Sequence, residues 1–220
     1  MYGHVNFSNF ISESDYKSLH TSPLVPLDIK INIEQFQIEL AEFDSNFKIW
    51  GEKYPDMLRY GLPLTNEDGI LKNLDPANYP NDEWNSRYPD RFLTDADMVT
   101  PTPVLNIPSL SPLKIFDKYL YRSNILKWGE GGCITPHIDT LMPSPYLRLW
   151  GTTDADNIDV NFFNVSTNKM EKAQGIESGR IYLIDTSIIH EGICISGTVY
   201  QFFICLSPLA KDLIKTKVLS

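Results

Sequence analysis

The sequence predicts a mainly β fold, a sandwich or barrel of short strands, preceded by an extension of one helix and many loops. Three observations carry that expectation. From about residue 119 onward, short segments rich in β-branched and aromatic residues follow one another, each bounded by Gly, Pro, Asn, Asp or Ser. Up to about residue 115 the texture differs, with proline and turn residues in place of alternation. Strand-like segments do not alternate with helical ones, so a parallel sheet wrapped in helices is not expected.

In order along the chain, the start "MYGHVNFSNFISESD" lacks the basic region and apolar run of a signal peptide, and no stretch approaches a membrane span. "TSPLVPLD", "LDPANYPNDEWNSRYPDRF" and "VTPTPVLNIPSLSP" read as ordered loops, because proline removes a backbone donor and fixes one dihedral. One helix is expected over about residues 33–50, where Phe36, Leu40, Phe43, Phe47 and Trp50 form one apolar stripe to pack on a sheet. Strands are expected in "YLYRSNILKW", "YLRLWGTT", "IDVNFFNV", "GRIYLIDTS", "GICIS" and "TVYQFFICLS", and "PLAKDLIKTKVLS" closes with a short helix. Residues 1–115 thus form an extension packing on a core of residues 116–220, within a single structural domain.

Composition narrows the function. With 42% hydrophobic residues the 220-residue chain can bury a core, and its net charge of −9 disfavours nucleic-acid phosphates and anionic membranes as partners. The three cysteines, Cys133, Cys194 and Cys205, form no CxxC pair, so the natural compartment is a reducing cytoplasm without a disulfide framework.

Only four histidines occur, and one lies in "GGCITPHIDT", two places before an aspartate. On a strand or at its end, residues two apart point to the same side, so His137 and Asp139 can converge on one ion. A second imidazole has one source in the β-rich half, His190, directly after "GRIYLIDTS". Two imidazoles and one carboxylate suit ferrous iron and leave positions open for reactants. On the residues alone both readings stand: a ligand set, or a solvated loop pair and an unrelated edge histidine. Zinc with Cys133 is the lesser metal reading, since it leaves Asp139 without a role.

"ILKWGEGGCITPHIDT", "YLRLWGTT", "GRIYLIDTSIIHEG" and "VYQFFICLS" together resemble the aspartyl/asparaginyl β-hydroxylase family of iron(II)- and 2-oxoglutarate-dependent oxygenases, over about residues 119–208. The upstream "LRYGLPLTNEDG" resembles a segment of bacteriophage-type relatives. The resemblance implies a double-stranded β-helix, or jelly roll, with Fe(II) held by His137, Asp139 and His190, 2-oxoglutarate as cosubstrate, and O2. It further implies hydroxylation of a C–H bond in an amino acid, a peptide side chain or a related small polar substrate. If the source is a phage, the location is the cytoplasm of the bacterial host. Arg148, in "YLRLWG", matches a family arginine near the cosubstrate.

One departure matters. Many members carry an arginine about ten residues after the distal histidine, where it binds a cosubstrate carboxylate; here Val199, Tyr200 and Gln201 stand in that region. A carboxylate buried without a counter-charge is expensive by several kcal/mol, so another cation is expected to reach it. Ile125 and Lys127 share one strand face, and a lysine there is poorly explained by solvent exposure alone. Lys127 or Arg148 is therefore expected at the distal carboxylate, with a Tyr200 or Ser123 hydroxyl assisting. Arg180 is expected at the surface. Trp50, Tyr54, Tyr60, Tyr79 and Trp84 are candidates for a substrate wall. The missing arginine also leaves an alternative, a catalytically silent or 2-oxoglutarate-independent cupin-like metal-binding protein.

Overall fold

The structure is a computed structural model that describes residues 10–51, 57–72 and 94–219. In chain order its strands are β1 (Leu24–Lys30), β2 (Lys48–Ile49), β3 (Arg59–Pro63), β4 (Thr65–Asn66), β5 (Thr100–Pro101), β6 (Asn124–Gly129) and β7 (Cys133–His137). They continue with β8 (Leu147–Thr152), β9 (Ile158–Asn164), β10 (Lys169–Lys172), β11 (Arg180–Ile184), β12 (His190–Cys194) and β13 (Thr198–Leu206). The helices are α1 (Glu13–Leu19), α2 (Ile33–Leu40) and α3 (Lys211–Lys215).

Two antiparallel sheets face each other as a jelly roll. The larger has the order β1-β11-β8-β13-β6-β3-β2 and the smaller β10-β9-β12-β7. β13 lies at the centre of the larger sheet and is covered on both sides, which is why its sequence is almost continuously apolar. Phe202, Ile204 and Leu206 point outward to join Phe36, Leu40, Leu110 and Phe116 in an outer core under the helical layer. Val199 and Phe203 point inward and meet Trp128, Trp150, Tyr182, Val160 and Phe162 between the two sheets. No helix among the described residues is long and apolar enough to cross a membrane.

The N-terminal region contributes more than wrapping. β1, β2 and β3 are strands of the larger sheet, and β3 pairs along β6 from Arg59↔Trp128 to Pro63↔Asn124. The proline-based reading of "TSPLVPLD" as loop is corrected for a physical reason: β1 is an edge strand, where Pro26 removes a donor the ladder can spare. β7 carries Pro136 and is likewise an edge, of the smaller sheet.

The helix expected over residues 33–50 is shorter. α2 starts at an Asn32 cap, whose side chain accepts from the Gln35 N–H at 3.1 Å, and gives way to a 3-10 segment at Ala41–Asn46. Asp44, Ser45 and Asn46 compete for backbone hydrogen bonds and favour the tighter turn. Phe36 and Leu40 are nonetheless buried in the outer core, and Phe43 and Phe47 pack against it. The stripe's last member, Trp50, lies past β2 and packs against the inner cluster instead.

Candidate metal centre

The three expected ligands converge. His137 ends β7 and His190 begins β12, and the two are direct cross-strand partners. Between that pair and the next, Ile134↔Gly192, β7 spans three steps against two on β12. This bulge, at Thr135 and Pro136, turns His137 toward its partner; such bulges commonly re-aim side chains beside functional sites. The ring centroids of His137 and His190 lie 4.4 Å apart. Asp139 sits just beyond the strand, its Oδ1 3.4 Å from His137 Nε2 and its Oδ2 3.5 Å from His190 Nε2. One ligand atom from each of the three residues lies within 4.8 Å of the others.

The surrounding backbone holds these arms in place. The Asp139 and Thr140 N–H groups both donate to Thr186 O at 3.0 Å, and the Tyr146 hydroxyl donates to Asp139 O at 2.9 Å. Thr186 lies in the turn that links β11 to β12, and Asp185 shapes that turn by accepting from the Ser187 N–H and hydroxyl. The glycines that precede Cys133 make the β6–β7 turn possible. Gly131 has φ +75°, and a Cβ on Gly132 would lie 2.8 Å from Gly129 O and 3.0 Å from Leu58 O. "GGCITPHIDT" is therefore a tight turn, a bulged edge strand and two converging side chains in ten residues.

Hydrogen bonding fixes the tautomers. His137 Nδ1 lies 2.8 Å from Thr135 O, and His190 Nδ1 lies 2.9 Å from Ile188 O. A carbonyl oxygen only accepts, so each Nδ1 carries the proton; in the neutral ring Nε2 then turns a lone pair toward Asp139, and only in the imidazolium does it donate to that carboxylate. Burial opposes the Asp139 carboxylate, but hydrogen bonds from His137 and His190 and the charge of Arg148 outweigh it, holding the carboxyl well below its usual range. Burial also opposes the His137 imidazolium, yet its bond to Asp139 raises the ring's pKa overall. Three acceptors facing one another call for a cation among them, and the donor set fits a divalent metal.

Arg148 projects from β8 into the space between the sheets. It pairs with Asp139 Oδ2, and its Nη2 donates to the Tyr146 hydroxyl at 3.2 Å. Its guanidinium lies over the rings of Tyr146 and Phe203, and its buried Nε has no partner among the described residues. Cys205 is its cross-strand neighbour, and burial pushes that thiol up to about 11, so it stays neutral.

The other three cosubstrate candidates are not at this site. Lys127 and Tyr200 are cross-strand partners on the outer face of the larger sheet. Lys127 Nζ binds Asp44 Oδ1 at 2.6 Å and lies over the Phe47 ring, and Tyr200 packs on Phe36 and Phe47. The alternation that pairs Ile125 with Lys127 is as expected, but that shared face looks toward the helical layer. Ser123 is fully buried, its hydroxyl donating to Tyr121 O at 2.9 Å and accepting from Cys205 N–H at 3.2 Å, a tie that begins β6. Arg180 pairs with Glu177 at 3.0 Å, away from the centre. Of the proposed wall, Trp50 packs against the inner cluster, Tyr60 shares the outer face with Lys127, and Tyr54, Tyr79 and Trp84 lie outside the described residues.

Sequence reasoning missed the supporting groups. Tyr146, two places before Arg148 in "YLRLW", was visible as a same-face neighbour, whereas Thr140 and Thr186 carry no local signal.

No family model and no curated protein matches the sequence. Solved structures with similar folds include the cysteine peptidase Peruvianin-I from Thevetia peruviana latex, at TM-score 0.31 and 16% identity, covering 47% of this chain and 56% of that one. The chain thus spans little more than half that protein's length. A prolyl-4-hydroxylase of Pseudomonas putida aligns at TM-score 0.47 and 9% identity, over 88% of this chain and 97% of that one. An oxidoreductase of the 2OG-Fe(II) oxygenase family from Burkholderia pseudomallei aligns at 0.40 and 12%, over 77% of each chain. At these identities the likeness is one of fold alone.

Proposed function

We propose that this chain is an iron(II)- and 2-oxoglutarate-dependent oxygenase that hydroxylates a C–H bond of an amino acid, a peptide side chain or a related small polar molecule. The observation that carries the reading is the convergence of two Nε2 lone pairs and one carboxylate, with both Nδ1 protons already committed to the backbone. Two imidazoles and one carboxylate on one side of an ion leave its other side free for reactants, the arrangement suited to non-haem iron oxygenases. Bound ferrous iron supplies the redox chemistry by which a 2-oxo acid and dioxygen become succinate, carbon dioxide and an oxidant for the C–H bond.

The chain's own residues do the rest. His137 and His190 would hold the ion through Nε2, their rings set by Thr135 O and Ile188 O. Asp139 would contribute one oxygen while Arg148 keeps the other, so Arg148 is a positioning residue that fixes the carboxylate plane. Trp150, Phe162 and Phe203 line the space between the sheets and exclude water on that side. Asp139 keeps 24% of its side-chain surface and His137 27%, so the opposite side is open to an incoming molecule.

The test is spectroscopic. Under anaerobic conditions the protein is loaded with ferrous iron and titrated with 2-oxoglutarate; a metal-to-ligand charge-transfer band is expected. Iron uptake without spectral change would point to a cupin-like metal protein, and no uptake to a silent scaffold; either outcome overturns the proposal. Succinate release stimulated by one amino acid or peptide in a panel then identifies the substrate class.

A further inference from the structure

Among the described residues Arg59 is a buried cation without an anion. It lies on β3, and only 7% of its surface is exposed. Its strand neighbour on β6 is Trp128, and the guanidinium carbon sits 5.2 Å from that ring's centroid. Leu62, on the opposite face of β3, belongs to the outer core, so Arg59 faces the space between the sheets. Its polar contact among the described residues is Nη2 to the thioether of Met57 at 3.0 Å, a weak acceptor, and its buried Nε has no partner. Several other basic side chains of this sheet and its margin have carboxylate partners: Arg122 with Asp95, Lys127 with Asp44, Arg148 with Asp139, and Arg180 and Lys30 with Glu177, whereas the more exposed Lys48 donates to Ser45 O.

A guanidinium taken out of water with no carboxylate is costly, by several kcal/mol before any compensation. Such a group persists where something else gains from it. Its neighbour Trp128 repeats the pattern: only 2% exposed, with an indole N–H that has no acceptor among the described residues. The Trp128 ring spans the gap between the sheets, its Cη2 lying 3.7 Å from where a Cβ on Gly192 would stand, two residues from His190. Burial depresses the Arg59 pKa, and the charges of Cys133 and Asp139 oppose that effect, so the guanidinium lies within electrostatic reach of the ligand cluster.

We infer that Arg59, assisted by the Trp128 indole N–H, receives the remote carboxylate of the 2-oxo acid whose other end faces His137, Asp139 and His190. This rests on the function proposed above and supplies the cation that the region around Val199, Tyr200 and Gln201 lacks. The chemistry is specific: a dicarboxylic 2-oxo acid satisfies a planar, two-pronged donor, whereas a monocarboxylic one leaves it bare. Arg59 therefore selects for a second carboxylate and takes no part in the redox step.

The experiment compares 2-oxoglutarate with pyruvate, which keeps the 2-oxo acid group and lacks the remote carboxylate. Binding is read without turnover, from the anaerobic charge-transfer band of the iron-loaded protein and by calorimetry on the same sample. Wild type is expected to prefer 2-oxoglutarate. Arg59→Met is expected to weaken 2-oxoglutarate roughly 30-fold or more, with pyruvate changed by less than about threefold, so that the preference collapses. Arg59→Gln, which keeps a polar side chain, gives the same reading if the methionine variant does not fold. An unchanged preference in a folded, iron-loaded variant overturns the inference while leaving the proposed function intact, as does an equal loss for both acids. No band in wild type with either acid would instead sink the proposed function itself, and the inference with it.

Discussion

Asp139→Ala in the metal-free protein should be destabilising well beyond the loss of one surface charge. The substitution leaves Arg148, whose side chain is 9% exposed, with the Tyr146 hydroxyl but no carboxylate. Removing one partner of a buried pair typically costs about 3–5 kcal/mol. Asp139 itself is 24% exposed, so water can partly replace it, which places the expectation near the lower end, about 3 kcal/mol. For a chain of this size that corresponds to a fall in Tm of roughly 6–12 °C. The assay is thermal unfolding followed by circular dichroism in the presence of a chelator. Asp139→Leu combined with Arg148→Met removes both charges and should recover most of the loss, since no uncompensated ion remains. Divalent metal should then raise the Tm of wild type and of neither variant, by about 2.7 kcal/mol at a hundredfold excess over Kd. A single variant within about 1 kcal/mol of wild type, or a double variant no better than the single, would refute the assignment of Arg148 as the carboxylate's anchor.

Other expectations follow from the same structure. Phe36→Ala empties a fully buried site edge-on to Phe202, with centroids 4.9 Å apart, and should lower the urea-unfolding free energy by about 3–5 kcal/mol. Lys127→Ala should leave the charge-transfer titration with 2-oxoglutarate unchanged and shift stability by no more than about 1 kcal/mol, because its partner Asp44 is largely solvated. His20 is stacked on Tyr16, and burial lowers its pKa below the ordinary histidine value. The unfolded chain therefore takes up this proton at higher pH than the native one. Its contribution is intact above about pH 6.5 and is lost as pH falls from there toward the lower folded value. Denaturation midpoints measured across that window should flatten in His20→Gln relative to wild type.

The strands most legible in the sequence were those whose burial leaves a simple trace. β8, β9, β11, β12 and β13 are central or covered on at least one face, and their alternation or continuous apolarity shows it. β1 and β7 were hidden because each carries a proline that only an edge position tolerates, and edge position is a property of the assembled sheet. The candidate metal ligands were legible because three chemically matched residues stand in a pattern few other roles require, and the structure brings them together. Lys127 misled because pleat parity tells which residues share a face, while which face is inside depends on where α2 and the following 3-10 segment come to rest. Arg59 was invisible for the converse reason: an arginine in "LRYGLP" reads as solvated until β3 is laid beside Trp128.

The seat of Gly132 against the carbonyls of Met57 and Leu58 has a practical consequence for anyone trimming this chain. A fragment cut to begin at residue 116 would strip β3 from β6, baring one side of that strand's ladder to other molecules. It would also remove the abutment on which the hairpin carrying His137 rests. Minimal versions of this scaffold must therefore retain the segment around residues 57–66, although no candidate metal ligand lies within it.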